Sequence, residues 1–313
     1  MRIYFKAKSD EIVNAIKKMF RCRIKLKDKF IEIDGFKKGY IYNYIPRIKA
    51  LYGVSKIETK YDEIMPIISG KNFYFTSPLN TKKKIIIAGP CVIHDFDEFE
   101  RTVTKLKNLN VYAIRTPLFK PRTSPYSWEG FGLNGLKKLL EIKKKISFIS
   151  VMEILDPRII EKVSNVCDII QIGARNMRNY QLLKEAARSK KTLLIKRHPH
   201  SSVTEFLFSA EYIAKYGCSK IILCERGDYF SDDISSINLE IIKEIKKHFK
   251  IPIIADVSHS AKDRKIVFDF ALKSWEISDG IMIEVMENPH NSPTDTKQII
   301  SIDEFKRLIE SLK

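Results

Sequence analysis

Lys84-Ile-Ile-Ile-Ala-Gly-Pro90 is a short apolar run without a polar residue from Ile85 to Gly89, and apolar residues then recur at helical spacing over 96–108. The same couple, a run and then an amphipathic helix, repeats to the end of the chain. The runs are 84–90, 111–116, 148–152, 168–173, 192–196, 220–224, 252–257 and 280–286. The helices are predicted at 96–108, 133–144, 157–164, 179–188, 204–216, 238–247, 263–273 and 304–312. Strands that are apolar on both faces belong in a parallel sheet covered by helices. Eight such units close most economically into a (β/α)8 TIM barrel over 84–313. An open doubly wound sheet is the alternative, but no glycine-rich dinucleotide fingerprint follows any run.

Upstream, the pattern differs. Met1–Ala7 alternates like a strand, Ser9 is an N-cap, and Ile12, Ile16, Met19 and Phe20 share one helical face. Alternation returns in Arg23–Lys27 and Phe30–Asp34, followed by the turn signal Asp34-Gly35. Pro46–Tyr52 reads as a short helix with proline in its first turn, and Val54–Lys60 as a last strand. The order βαββαβ over 1–66 is that of a ferredoxin-like module. Residues 67–83 form a linker in which Phe73-Tyr-Phe75 is a short strand.

Composition narrows the class. The chain has 313 residues and a net charge of +18, with 17 Lys/Arg against 8 Asp/Glu in residues 1–80. Such an excess points to nucleic acid, an anionic membrane or phosphorylated ligands. No RNA-binding motif, helix-turn-helix or Cys/His finger supports nucleic acid, and no apolar run is long enough to span a bilayer. The five cysteines (22, 91, 167, 218 and 224) show no paired spacing, and no signal-peptide pattern opens the chain. The expectation is a reduced, cytoplasmic protein without a nucleic-acid or membrane partner.

Chemistry collects where the runs end, the face on which barrel enzymes carry their active sites. The residues there are Cys91, Arg115 with Lys120, Glu153, Arg175, Lys196 with Arg197, Glu225 with Arg226, His259, and Glu284. Cys91, His259, Glu284 and Asp295 are able to ligate a divalent metal, a mixed-hardness set suited to Mn, Fe, Co or Zn. Arg115, Lys120, Arg175, Lys196 and Arg226 make a cationic ring that calls for a multiply charged anion. The loop from Ile114 to Tyr126 adds Arg122, Thr123 and Ser124, held by Pro117, Pro121 and Pro125, which fix φ and rule out a helix.

These residues fall in motifs. Ala88-Gly-Pro-Cys91, Lys120-Pro-Arg-Thr-Ser-Pro-Tyr126, Ile170-Gln-Ile-Gly-Ala-Arg-Asn176 and Leu194-Ile-Lys-Arg197 come first. Cys224-Glu-Arg-Gly227, Ser258-His-Ser260, Ile283-Glu-Val285 and Asp295-Thr-Lys-Gln298 follow. In this order the chain resembles the 3-deoxy-D-arabino-heptulosonate 7-phosphate (DAHP) synthases, in the subgroup with an N-terminal ferredoxin-like domain. The resemblance implies a condensation of phosphoenolpyruvate with erythrose 4-phosphate and water, the first step of the shikimate pathway. It assigns phosphoenolpyruvate to Arg115, Lys120, Arg175, Lys196 and Arg226, and erythrose 4-phosphate to Lys120, Pro121, Arg122, Thr123 and Ser124. Cys91, His259, Glu284 and Asp295 would hold one divalent metal, with Lys120, Cys91 and His259 the catalytic residues. Glu153 and Glu225 would orient water or cations, or serve as structural ion pairs. Phenylalanine or tyrosine would act as feedback inhibitor on the N-terminal domain of a homodimer or homotetramer, unless that domain only supports structure or assembly.

Four departures stand out. His198 occupies a usual glycine, Val257 a usual proline, the loop 228–237 is shortened, and Met286-Glu-Asn-Pro289 replaces a His-Pro sequence. Three rivals are carried forward. The sister 3-deoxy-D-manno-octulosonate 8-phosphate synthases have a Lys-Ala-Asn-Arg-Ser loop where this chain has Lys120–Ser124. A Schiff-base aldolase would use Lys196. A nucleic-acid binder would show steep salt dependence.

Overall fold

The structure is a computed structural model that describes residues 1–6, 10–20, 22–70, 84–229 and 235–312. Ser9 and Phe73-Tyr-Phe75 lie outside the described residues. The chain divides into two compact units, Met1–Phe73 and Tyr74–Lys313.

The first unit contains β1 (Arg2–Phe5), α1 (Asp10–Met19), β2 (Arg23–Leu26), β3 (Phe30–Asp34), α2 (Ile45–Lys49), β4 (Val54–Glu58) and the single turn α3 (Tyr61–Ile64). Its sheet runs β2-β3-β1-β4, antiparallel at every pairing, which is the ferredoxin-like order. The period of two buries Ile3, Ile31 and Ile33, and the helical period buries Ile12 and Ile16. The second helix departs from expectation. A 3-10 turn over Tyr40–Tyr44 leads into α2, and the helix stops short of Tyr52 because Gly53, at φ 88°, turns the chain into β4.

The second unit is a closed barrel of eight parallel strands. They are β5 (Ile85–Gly89), β6 (Ala113–Arg115), β7 (Ser150–Glu153), β8 (Ile169–Ile172), β9 (Thr192–Lys196), β10 (Ile221–Glu225), β13 (Ile253–Asp256) and β14 (Gly280–Met286). Each pairs with the next, and β14 closes onto β5. The outer helices are α4 (Phe96–Asn108), α5 (Leu136–Lys145), α6 (Ile160–Ser164), α7 (Tyr180–Arg188), α8 (Val203–Lys215), α9 (Leu239–His248), α11 (Arg264–Ile277) and α12 (Ile302–Ser311). One residue set fills the barrel interior: Ile85, Ile87, Ala113, Val151, Ile169, Leu194, Ile222, Cys224, Ile254 and Met282, all buried. Inward residues from every strand therefore make a packed plug, and the open space is left at the C-terminal mouth.

Two small features shape that mouth. A hairpin of β11 (Asp228–Tyr229) and β12 (Ser235–Ser236) follows the sixth barrel strand. After β13 the run expected to continue through Val257 instead enters the short helix α10 (Val257–Ala261). Asp256 starts it by accepting from the His259 N–H, and Lys262, at φ 56°, ends it. A pattern of apolar residues cannot separate a strand end from a buried turn of helix. Val257 is the first residue of that helix, a position that proline also suits because the N–H it lacks has no partner within the helix.

Candidate active site

The mouth encloses a cavity of about 1060 Å³ lined by Cys91, Arg115, Lys120, Pro121, Arg122, Thr123, Ser124, Glu153, Arg175, Lys196, Arg226, His259 and Asp295. Most of the residues singled out from the sequence thus share one space. Glu284 and Glu225 are wholly buried and do not line it. The loop after β6 is fixed by its backbone as well as its prolines: Ile93 N–H donates to the Pro117 carbonyl (3.1 Å) and Lys120 N–H to the Glu129 carbonyl (2.8 Å). Gly89, at φ 144°, ends β5 where a Cβ would meet the Arg115 carbonyl oxygen at 2.9 Å, so its lack of a side chain lets β5 and β6 converge beside Cys91.

The four donors proposed for a metal come in two pairs. Cys91 Sγ lies 2.9 Å from Asp295 Oδ2, and His259 Nε2 lies 3.6 Å from Glu284 Oε1. Those separations suit neighbouring ligands on one ion, about 3–4 Å apart for tetrahedral bonds of about 2.0–2.3 Å. Among the described residues no three such groups converge ready-made on a point. The Lys120 ammonium occupies the place of a bridging cation, 2.7 Å from Cys91 Sγ and 2.8 Å from Asp295 Oδ2. The donor chemistry nonetheless fits a divalent ion: one thiol, one imidazole and two carboxylates. Asp295 adopts a left-handed backbone, φ 55°, in order to face Cys91.

Electrostatics tie these groups together. Burial alone would raise the Asp295 carboxyl, but Lys120 and Cys91 reverse this and hold it well below the usual carboxylate range. Burial would lower Lys120, yet Cys91, Glu284 and Asp295 outweigh it and raise the ammonium. Burial and then Glu284 push the Cys91 thiol well up, against the pull of Lys120. Burial also depresses the His259 imidazole, although Asp256 and Glu284 favour its charged form. Glu284 is lowered because His259, Arg115 and Lys120 overcome its burial.

Carboxylates also hold most of the cations. Arg115 donates to Glu284 Oε1 (2.9 Å) and to the Pro90 carbonyl (3.1 Å), and its buried Nη1 has no partner among the described residues. Lys196 meets Asp256 Oδ2 at 2.5 Å in a buried pair, which engages the amine that a Schiff-base mechanism would need free. Arg197 is 1% exposed and forks onto Glu225 at 2.5 and 2.8 Å. It also bonds Asp228 and the carbonyls of His198, Pro199, Ser201 and Gly227. Arg197 and Glu225 therefore staple two loops beneath the mouth. His198 enters that staple through its carbonyl, its N–H donates to Met177 Sδ, and its φ is not positive, so its backbone does not call for glycine. Met286 is buried with Cys91 and Ile299.

Three residues escaped sequence reasoning. Asp256 is fully buried and joins the two sets, with Oδ2 2.5 Å from Lys196 Nζ and 2.9 Å from His259 Nδ1, the latter outside hydrogen-bond geometry. Gln298 donates to Glu284 Oε2 (2.6 Å) and Gln171 to Glu153 Oε2 (2.8 Å). Asp256 carried a signal, an acidic residue inside an otherwise apolar strand run. The two glutamines lay inside quoted motifs without being assigned a task.

The profile of the DAHP synthetase I family matches residues 79–313. The phospho-2-dehydro-3-deoxyheptonate aldolase of Thermotoga maritima is 35% identical over 292 residues, covering 91% of this chain and 84% of the relative. A 2-dehydro-3-deoxyphosphooctonate aldolase of Fusobacterium nucleatum is 26% identical over 248 residues, 73% of this chain and 89% of its own length. The crystal structure of the Thermotoga maritima DAHP synthase superposes with a TM-score of 0.81 at 31% identity, covering 99% of this chain and 95% of that one. The chain belongs to the DAHP synthetase I family.

Proposed function

We propose that the mouth cavity is where this enzyme condenses phosphoenolpyruvate with erythrose 4-phosphate and water, giving 3-deoxy-D-arabino-heptulosonate 7-phosphate and phosphate. The observation that carries the assignment is the meeting of Arg115, Lys120, Arg175, Lys196 and Arg226 with Cys91, His259 and Asp295 in one cavity. Two buried guanidinium nitrogens there, Arg115 Nη1 and Arg226 Nε, lack partners among the described residues and suit the oxygens of a phosphate or carboxylate. In this reading the five cations hold phosphoenolpyruvate, and Lys120, Pro121, Arg122, Thr123 and Ser124 hold the sugar phosphate.

Lys120 lies between the two sets and would orient the substrates so that C3 of phosphoenolpyruvate faces the aldehyde. After that bond forms, water adds at C2 and phosphate leaves. Cations already in place around the developing oxyanions need no reorganisation. Cys91, His259, Glu284 and Asp295 would hold one divalent ion, which supplies Lewis-acid polarisation of a carbonyl when bound. Glu153 lines the cavity, which supports a task in orienting water, whereas the fork onto Arg197 supports a structural task for Glu225. A cytoplasmic setting, a homo-oligomeric assembly and inhibition by phenylalanine or tyrosine through the first unit belong to the same proposal.

The test is phosphate release from phosphoenolpyruvate by EDTA-treated protein, with erythrose 4-phosphate or arabinose 5-phosphate and with or without Mn²⁺. Metal-dependent turnover with erythrose 4-phosphate is expected. Preference for arabinose 5-phosphate would move the substrate assignment to the sister enzymes, and turnover unaffected by EDTA would remove the metal from it.

A further inference from the structure

Arg226 differs from its neighbours. Arg115, Lys120, Lys196 and Arg197 each meet a carboxylate. The Arg226 side chain instead donates from Nη2 to the hydroxyl of Tyr229 at 2.6 Å, with its guanidinium carbon 5.4 Å from the centre of the tyrosine ring. Lys262 Nζ lies 3.9 Å from the same ring centre. Arg226, Tyr229 and Lys262 all line the cavity.

We propose that Tyr229 is a positioning residue for phosphoenolpyruvate binding, which holds Arg226 toward the substrate anion without neutralising it. This rests on the assignment of Arg226 to phosphoenolpyruvate made above. A carboxylate in the place of Tyr229 would fix Arg226 equally well but cancel the charge the anion needs. A neutral phenol accepts one guanidinium N–H, and its electron-rich face attracts both cations. Nε, buried and unpartnered among the described residues, is left for the ligand.

The backbone explains why Tyr229 can do this. Asp228, its neighbour, is held by Arg197 and by Asn238 Nδ2 (2.6 Å). Asp228 and Tyr229 pair with Ser236 and Ser235. The ring is thereby anchored at the base of the shortened loop, where it meets both cations.

The experiment compares Tyr229→Phe, Tyr229→Leu and Arg226→Gln with the parent, each metal-loaded. It reads kcat, both KM values and, without the sugar phosphate, the Kd for phosphoenolpyruvate by fluorescence quenching. Tyr229→Phe removes the acceptor alone and should raise KM and Kd for phosphoenolpyruvate about 10- to 150-fold, the usual worth of a hydrogen bond to a charged group. KM for erythrose 4-phosphate and kcat should stay within about two-fold. Tyr229→Leu also removes the ring and should exceed the phenylalanine effect. Equal rises in both KM values, or unchanged binding in Tyr229→Phe while Arg226→Gln binds poorly, would overturn the inference alone. Unchanged phosphoenolpyruvate binding in Arg226→Gln would overturn both it and the assignment beneath it.

Discussion

Gly173→Ala is a small change aimed at one carboxylate. Gly173 has φ −66° and ψ 160°, a backbone that any residue adopts, so alanine meets no conformational barrier. A Cβ there would, however, lie 1.9 Å from Glu153 Oε1. Real contacts essentially never fall under 3.0 Å, so the carboxylate must retreat by at least 3.0 − 1.9 = 1.1 Å. The retreat strains or breaks the 2.8 Å bond from Gln171. A hydrogen bond to a charged acceptor is worth about 1.5–3 kcal/mol, which bounds the stability loss. If Glu153 orients water at the reacting atoms, a shift of about 1 Å should also slow turnover, by up to about 100-fold.

The assay is steady-state phosphate release by Gly173→Ala, Glu153→Ala and the double variant, with thermal melting of each. We expect kcat to fall about 10- to 100-fold in Gly173→Ala while the melting temperature drops by about 2–6 °C. The double variant should match Glu153→Ala, since the methyl group then displaces nothing. Parental kcat in Gly173→Ala would refute a role for Glu153 in turnover. Additive losses in the double variant would show that the methyl group acts through another neighbour.

Three further outcomes follow from the buried charges. Asp256→Asn removes the partner of Lys196 and the charge beside His259; urea unfolding should show a loss of about 3–5 kcal/mol, the usual result of breaking a buried pair. Arg197→Lys cannot reproduce the fork onto Glu225 or the carbonyl bonds around it and should cost a similar amount, about 3–5 kcal/mol, in the same assay. Asp256 is held well below its usual value of 3.8 and Glu284 below 4.5, because His259 and, respectively, Lys196 or Arg115 overcome the opposing effect of burial. Their stabilisation is present above the unfolded values and is lost as pH falls toward the folded ones, so urea midpoints should decline below about pH 4, less steeply in Asp256→Asn.

The fold was largely legible because buried parallel strands and amphipathic helices have different periods. Phe96–Asn108 forms as a helix over the expected residues, and Thr192–Lys196 as the expected strand. Legibility failed where one apolar run serves two elements: Val257 continues the run of β13 but begins α10, and the helix over Ile45–Lys49 borrows its start from the turn before it. At the site, residue types at strand ends identified most of the groups lining the mouth, although Glu225 and Glu284 lie buried behind it. Their partners come from segments far apart in sequence, such as Lys120 with Asp295 or Arg115 with Glu284, and no local pattern records those pairings.

That last point changes the charge argument itself. Five cations at strand ends imply a ligand of high negative charge only if all five are free. The structure gives Arg115, Lys120 and Lys196 the carboxylates Glu284, Asp295 and Asp256, so 5 − 3 = 2 cations, Arg175 and Arg226, remain without an acidic partner among the described residues. An entering anion then gains most at those two, where no carboxylate competes for the guanidinium, while the paired cations supply fixed orientation and a smaller net field. The pairs also keep the mouth from repelling itself open before substrate arrives. On the proposed assignment, the residues that set affinity are therefore those the protein leaves uncompensated, and of the two it is Arg226 that a phenol steadies.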